Sequence, residues 1–152
     1  MASRKPFTYE EFKAIYSKVP RLSVDVIVKN KRDIALALRS ITPYRGYWHI
    51  PGSTVLYRES AIQTAHRVAR DELGVLIRSP KLLGYIEYNE EPHRDFGRSL
   101  SLVFLAELKS GTLTPDGDAS EAAFFSQLPK KIIPPQRKFL MKHMPEMLRR
   151  VS

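Results

Sequence analysis

The sequence predicts an α+β fold in which an antiparallel sheet is flanked by helices, as in a layered α/β/α sandwich. Segments with strand-like and helix-like spacing of apolar residues are interspersed along the chain, which is typical of this class. The chain has 152 residues, of which 43% are hydrophobic, enough for a real hydrophobic core. No internal repeat or long linker divides it, so we expect a single domain over residues 1–152.

The N-terminal part predicts one helix and two strands. The segment TYEEFKAIYSKV has apolar residues at helical spacing, with Thr8 as the N-cap and Glu11 three residues later. The segments LSVDVIVKN and IALALRS predict two strands, which the polar turn around residues 30–33 connects.

The middle of the chain predicts a short strand and a longer helix. The strand runs through Trp48 and Ile50 and is stopped by Pro51–Gly52. From Ser60 to Leu73 the spacing is helical, and Gly74 is placed where a glycine commonly ends a helix. The predicted buried stripe of this helix consists of Ala61, Ala65, Val68, Ala69 and Leu73.

The C-terminal part predicts three strands and a last helix. The segments KLLGYIEYNE and LSLVFLAELK predict strands around a polar loop, and AAFFS predicts a short strand. The last helix follows Pro134–Pro135, and Pro145 predicts a kink in it. Its predicted inward residues are Phe139, Leu140, Met144 and Leu148.

The charge of the chain favours an anionic ligand. Lys and Arg number 25 against 16 Asp and Glu, a formal net charge of +9, which attracts phosphorylated partners. No nucleic-acid-binding motif accompanies this charge, so we do not expect a nucleic-acid partner. No apolar run is long enough to span a membrane, and the N-terminus lacks the apolar stretch of a secretory signal. The absence of cysteine excludes disulfides and fits a cytoplasmic protein.

The segment GYWHIPGSTVLYRESAIQTAHRVARDELGV, residues 46–75, resembles the signature of the Nudix family, G-x5-E-x7-R-E-U-x-E-E-x-G-U, where U is a bulky aliphatic residue. Aligned without a gap, five of the nine specified positions match, and an Asp for Glu is a conservative sixth. The aligned positions are Ser53, Glu59, Arg67, Val68, Ala69, Asp71, Glu72, Gly74 and Val75.

The resemblance implies a Nudix-type α/β/α sandwich with a mixed central sheet. It also implies a divalent-metal-dependent hydrolase of a nucleoside diphosphate linked to another moiety, such as a nucleotide sugar. Asp71 and Glu72 would hold Mg²⁺ or Mn²⁺, and the backbone at Ser53 would face the ion. Arg67 would orient the acidic residues by ion pairing. A homodimer is compatible with the family.

Val68 replaces the Glu of the signature that often acts as a base or a second metal anchor. On a helix, positions 68, 71 and 72 share one face, so the replacement removes one of three carboxylates. Glu121 is our candidate for the substitute base or third metal ligand, with Asp116 and Asp118 behind it; the alternative for Glu121 is a surface acid at a strand edge. A Nudix-fold module that binds a nucleotide with weak or no turnover is therefore the alternative function.

Within the family, the chain is most similar to GDP-mannose mannosyl hydrolases, which have an N-terminal helix and a signature lacking the same Glu. That likeness implies that Asp25 and Arg39 contact the nucleotide diphosphate. The catalytic His of this subgroup has no counterpart in PDGDASEAAFF. Arg94 and Arg98, in the loop EEPHRDFGRS, are candidate phosphate contacts because guanidinium binds phosphate through two hydrogen bonds. Solvated loop charges are the alternative for both.

Overall fold

A computed structural model describes residues 6–89, 98–117 and 119–147, apart from the side chain of Glu146. In this part of the chain there are three helices and seven strands. The helices are α1 (Tyr9–Tyr16), α2 (Ala61–Leu73) and α3 (Pro134–Met147). The strands are β1 (Arg21–Asn30), β2 (Asp33–Arg39), β3 (Trp48–His49), β4 (Gly52–Thr54), β5 (Leu76–Tyr88), β6 (Ser99–Ser110) and β7 (Ala119–Phe125).

The strands form one mixed sheet in the order β3-β2-β1-β6-β5, with β4 paired to β1 and β7 paired to β2. The β1–β6 pair is parallel, whereas the other pairs are antiparallel. The wholly antiparallel sheet expected from the apolar patterns is therefore wrong for β1 and β6, because alternation defines the faces of a strand and not its partner's direction. The mixed α/β/α sandwich implied by the family resemblance is confirmed.

The core has two parts, one on each face of the sheet. Residues of β1 alternate between them, so that Val24, Val26 and Val28 belong to the part with α2, and Ile27 belongs to the part with α3. Because β1 is covered on both faces, four of the five residues from Val24 to Val28 are apolar. One polar residue interrupts that run at Asp25, on the α3 face.

Helix α2 begins and ends close to the predicted residues. Ser60 is the N-cap and forms a capping box with Gln63, and Gly74 ends the helix with φ +69°. Four residues of the predicted stripe are buried, Ala61 packs against the core, and Thr64 is buried as well. A Cβ at Gly74 would lie 3.0 Å from the Thr114 Cβ, so this turn has both a conformational and a steric need for glycine.

Two strands differ from the sequence prediction. Strand β5 begins at Leu76, five residues before the predicted start at Lys81, and its pairing is irregular between Arg78 and Lys81. Ser79 has φ +53° there, and Pro80 has no N–H to donate. Because of these two residues, the sequence between Leu76 and Lys81 lacks the regular pattern of a strand. Strand β4 begins at Gly52, where the prediction had the chain leave the sheet.

The terminal helices agree with their predictions in position. Helix α1 has the predicted capping box of Thr8 and Glu11 but buries none of its residues. In α3, Phe139 and Leu140 are buried, Met144 packs against the core, and Pro145 lies inside the helix. The predicted inward residue Leu148 lies outside the described residues. Among the helices of the described chain, none is long and apolar enough to cross a membrane.

Candidate active site

An ion pair connects the loop before α2 to the middle of that helix. Arg67 Nε donates to Glu59 Oε2 at 2.8 Å, and Arg67 Nη2 donates to Glu59 Oε1 at 2.9 Å. Each side chain is only 15% exposed. The hydrogen bonds from Arg67 lower the pKa of Glu59 to about 2, and the bond to Glu59 raises the pKa of Arg67. Both groups are therefore charged at neutral pH.

The same arginine binds strand β4. Arg67 Nη2 donates to the Thr54 carbonyl at 2.8 Å, and Arg67 Nη1 lies 3.4 Å from Ser53 Oγ. On the other side of the pair, Glu59 accepts the backbone N–H of Leu56 at 3.2 Å and the hydroxyl of Thr64 at 2.7 Å. Arg67 thus fixes the position of β4 relative to α2. Sequence reasoning had not identified Glu59 as its direct partner.

Asp71 and Glu72 lie half-buried in the last turn of α2. Both are close enough to Arg67 for their negative charges to raise its pKa further, after the contribution of Glu59. Asp71 Oδ1 also lies 3.4 Å from the Nε of Arg70, a largely exposed arginine. Arg67 therefore lies within electrostatic range of both Asp71 and Glu72, and the role of the three residues in a metal site stays a prediction.

Ser53 occupies the glycine position of the signature without strain. The residues with positive φ that are not glycine, among those described, are Lys31, Tyr44, Arg58 and Ser79. Ser53 instead has strand geometry and is paired with Val24 of β1. The backbone conformation at Ser53 therefore does not require a glycine.

Val68 is a core residue. It is 0% exposed and belongs to the part of the core formed by α2 and the sheet. Positions 68, 71 and 72 lie on one side of the helix. The Val68 side chain is nevertheless buried in the core, whereas Asp71 and Glu72 are partly exposed to solvent. No group of three or more His, Asp or Glu side chains within the described ranges is arranged to hold a metal ion. The carboxylates available in α2 are therefore Asp71 and Glu72.

Asp25 is also buried, with 5% of its surface exposed. Its Oδ2 accepts the hydroxyl of Tyr88 at 2.7 Å, and Gln136 Nε2 donates to that hydroxyl oxygen at 3.0 Å. Burial raises the pKa of Asp25 to about 6, against the opposing effects of the hydrogen bond from Tyr88, the nearby Ser101 hydroxyl and the Arg21 charge. Sequence reasoning missed Tyr88 and Gln136. The signal for them was an acid inside an apolar strand, because a buried carboxyl group requires hydrogen-bond partners.

The profile of the NUDIX domain family matches residues 19–147 of the chain. The chain belongs to the Nudix hydrolase family. The family resemblance and the Nudix-type hydrolase expected from the signature are thereby confirmed. The likeness to the GDP-mannose mannosyl hydrolase subgroup stays a prediction.

Two curated relatives and one solved structure illustrate the membership. The low-salt glycan biosynthesis protein Agl8 of Haloferax volcanii is 31% identical over 120 residues, covering 76% of this chain and 77% of the relative. The ADP-ribose pyrophosphatase of Methanocaldococcus jannaschii is 32% identical over 114 residues, covering 73% and 66%. The MutT NUDIX hydrolase of Burkholderia pseudomallei superposes with a TM-score of 0.73 at 23% identity, covering 81% of this chain and 97% of that chain.

Glu121, the candidate Nudix base, lies exposed in β7, where it is paired with Leu38 of β2. Asp116 is exposed as well, and its carboxylate accepts the backbone N–H of Gly117. Asp118 lies outside the described residues. Glu121 forms no three-acid group with Asp71 and Glu72 within the described chain, so its catalytic role stays a prediction.

The arginines expected to bind substrate have local partners where they are described. Arg39, at the end of β2, donates from Nε to the Pro43 carbonyl. Arg98 is exposed, and its Nη2 donates to Asn89 Oδ1 at 3.3 Å. Arg94 lies outside the described residues. The roles of these arginines in phosphate binding stay predictions.

Proposed function

We propose that this chain, as a single Nudix domain over residues 1–152, is a divalent-metal-dependent hydrolase of a nucleoside diphosphate linked to another moiety, such as a sugar. The observation that supports this most is the position of Arg67. Its contacts hold β4 against α2, beside the carboxylates of Asp71 and Glu72. The names of the two curated relatives, one a glycan biosynthesis protein and one an ADP-ribose pyrophosphatase, are consistent with such a substrate.

The donor set fits a hard cation with oxygen ligands. Asp71 and Glu72 would hold Mg²⁺ or Mn²⁺, with the backbone carbonyl of Ser53 as a further ligand. Two carboxylates are sufficient for Mg²⁺, which keeps several water ligands of its own. When bound, the cation would neutralise diphosphate charge and favour the attack of water. Arg67 would keep the carboxylates and the β4 backbone at a fixed separation.

The base that takes the proton from water must come from outside the Val68 position, because that side chain lies in the core. We assign this role, or that of a third metal ligand, to Glu121, which is exposed on β7. Asp25, Arg39, Arg94 and Arg98 are the proposed substrate contacts. The net charge of +9 would attract a diphosphate from solution.

Hydrolysis of a substrate panel tests this proposal. ADP-ribose and several nucleotide sugars would be incubated with the protein and Mg²⁺, Mn²⁺ or EDTA, and the products separated by chromatography. We expect metal-dependent turnover that Glu72→Gln abolishes and that Glu10→Gln, a matched change on the exposed surface of α1, leaves unchanged. A nucleoside monophosphate product would indicate cleavage of the diphosphate, and a nucleoside diphosphate product would indicate cleavage at the sugar.

The binding module is the alternative if no substrate turns over. In that case the parent would bind nucleoside diphosphates in an equilibrium assay without releasing products. Calorimetric titration with Mn²⁺ tests whether Glu72 binds the ion, because Glu72→Gln should then remove the heat of binding. Unchanged Mn²⁺ binding in that variant would place the ion elsewhere. A homodimer, a cytoplasmic location and the lack of a nucleic-acid partner also stay predictions.

A further inference from the structure

A closed chain of contacts surrounds the corner between β3 and β4. Tyr88 donates its hydroxyl to Asp25 Oδ2 at 2.7 Å and accepts from Gln136 Nε2 at 3.0 Å. The other end of the Gln136 amide, Oε1, accepts the backbone N–H of Ile50 at 2.6 Å. Ile50 is two residues before Gly52, which is paired with Asp25 across the β1–β4 ladder. We call Asp25, Tyr88 and Gln136 the Tyr88 network.

Gly52 provides the space that the Asp25 carboxylate occupies. A Cβ at position 52 would overlap Asp25 Oδ1, so no larger residue fits while Asp25 keeps its place. The backbone of β4 can approach Asp25 closely only because position 52 has no side chain. The Tyr88 network, which holds Asp25 from its other oxygen, therefore limits where this part of β4 can lie.

Strand β4 is held from both faces of the sheet. Side chains alternate along a strand, so Gly52 faces Asp25 and α3, whereas Ser53 faces α2. On the α2 side, Arg67 approaches the Ser53 hydroxyl and binds the Thr54 carbonyl. The short strand thus has one set of contacts from α2 and another from the Tyr88 network.

Stability alone does not account for a polar network at this place. Asp25 and Gln136 are each 5% exposed, and apolar side chains of similar size would avoid the cost of burying a carboxyl group. Burial and the nearby Asp25 carboxyl group raise the pKa of Tyr88, so its hydroxyl stays protonated and available as a donor. The network connects β1, β5 and the first turn of α3 to one three-residue strand.

We infer that the Tyr88 network is a positioning device that sets the place of the Gly52–Ser53 backbone relative to Asp71 and Glu72. Tyr88 and Gln136 act through Asp25 and β4, and neither of them is among the proposed substrate contacts or metal ligands. This inference rests on the proposed function, because the backbone at Ser53 matters for catalysis only if it faces the ion.

Tyr88→Phe tests the inference with Tyr85→Phe as the matched control, since Tyr85 lies in the same strand and is 62% exposed. Two quantities are measured in each protein: amide hydrogen exchange at residues 52–54 and the Kd for Mn²⁺ by calorimetry. We expect Tyr88→Phe to raise both the exchange rate and the Kd about tenfold, as for one lost buried hydrogen bond. Tyr85→Phe should change neither quantity. The exchange rates of the α2 amides should be the same in both variants and in the parent.

The outcomes separate this inference from the proposed function. Faster exchange at residues 52–54 without Mn²⁺ binding by any variant would contradict the ion site and support the positioning of β4. A lower melting temperature with unchanged exchange and Kd would show that the network serves stability only, which overturns the inference.

A second pair of variants keeps the test decisive if Tyr88→Phe does not fold. Gln136→Glu keeps an acceptor for the Ile50 N–H, and when ionised it has no hydrogen to donate to Tyr88, so in that form it should also accelerate exchange at residues 52–54. Gln136→Leu removes both bonds and should accelerate it more. Equal rates in the parent and both variants would overturn the inference.

Discussion

Glu59 and Arg67 are eight residues apart, and two hydrogen bonds of 2.8 and 2.9 Å join them across the start of α2. The pair closes the loop before the helix and brings β4 to it. It is formed by two positions of the Nudix signature, so in this chain part of that signature joins the loop before α2 to the helix and to β4.

Removing the Glu59 charge should destabilise the protein. Glu59→Gln cannot form the charged pair, and it leaves Arg67 largely buried with weaker partners. We expect a loss of about 2 kcal/mol in the free energy of unfolding, measured by urea denaturation. Glu10→Gln on the surface of α1 should leave the urea midpoint unchanged. Equal midpoints for the parent and Glu59→Gln would contradict the structural role of the pair.

The same pair should make stability sensitive to acid. The pKa of Glu59 is about 2 in the folded protein and 4.5 ordinarily, because Arg67 stabilises the carboxylate. Its contribution is fully present above about pH 4.5 and is lost as the pH falls towards about 2. We expect Glu59→Gln to lose less stability than the parent over this window. Parallel curves of urea midpoint against pH would count against the assignment.

Asp25 should make the stability of the protein depend on pH in the opposite direction, with stability falling as the pH rises. Burial raises its pKa from 3.8 to about 6, so the folded protein keeps a proton that the unfolded chain has already released. Its contribution is fully present below about pH 3.8 and declines as the pH rises to about 6. Asp25→Asn, which keeps an acceptor for Tyr88, should remove this decline. The urea midpoint at about pH 4 and about pH 7 measures it, and an unchanged decline in the variant would refute the assignment.

Restoring the signature Glu at position 68 should destabilise the protein. A carboxylate placed in the apolar core of α2 costs several kcal/mol, so we expect Val68→Glu to lose about 3 kcal/mol or more of stability. Ile62→Glu is the matched control, since Ile62 lies in the same helix and is 50% exposed. Denaturation with and without Mg²⁺ measures both. A stable Val68→Glu with faster diphosphate hydrolysis would instead place position 68 in the cleft.

The parts of the fold that depend on neighbouring residues could be predicted from the sequence. The ends of α2 follow from Ser60 and Gly74, because caps are determined within one turn of the helix. The buried stripe of α2 follows from its spacing, and that pattern already placed Val68 inward. The family signature suggested an acidic face at the same position, and the structure shows that the helical pattern was the better guide.

The parts that depend on distant partners could not be predicted in this way. Tyr88 and Asp25 are 63 residues apart, and no spacing rule connects them. The parallel pairing of β1 with β6 could not be predicted for a similar reason. The apolar pattern of a strand specifies neither which strand lies beside it nor the direction of that strand. The start of β5 was missed for a local reason, since Ser79 and Pro80 interrupt its regular geometry.

The two edges of strand β1 have different pairing partners, and this difference indicates where the chain can accept insertions. One edge is paired with β6 continuously from Arg21 to Lys29, whereas the other is divided between β4 and β2. Residues 40–47 connect β2 to β3 and are partly or fully exposed, and surface loops accept extra length at low entropic cost. Extra residues at positions 40–47 should therefore lengthen this surface loop without interrupting the ladders that join β1 to β4 and β6.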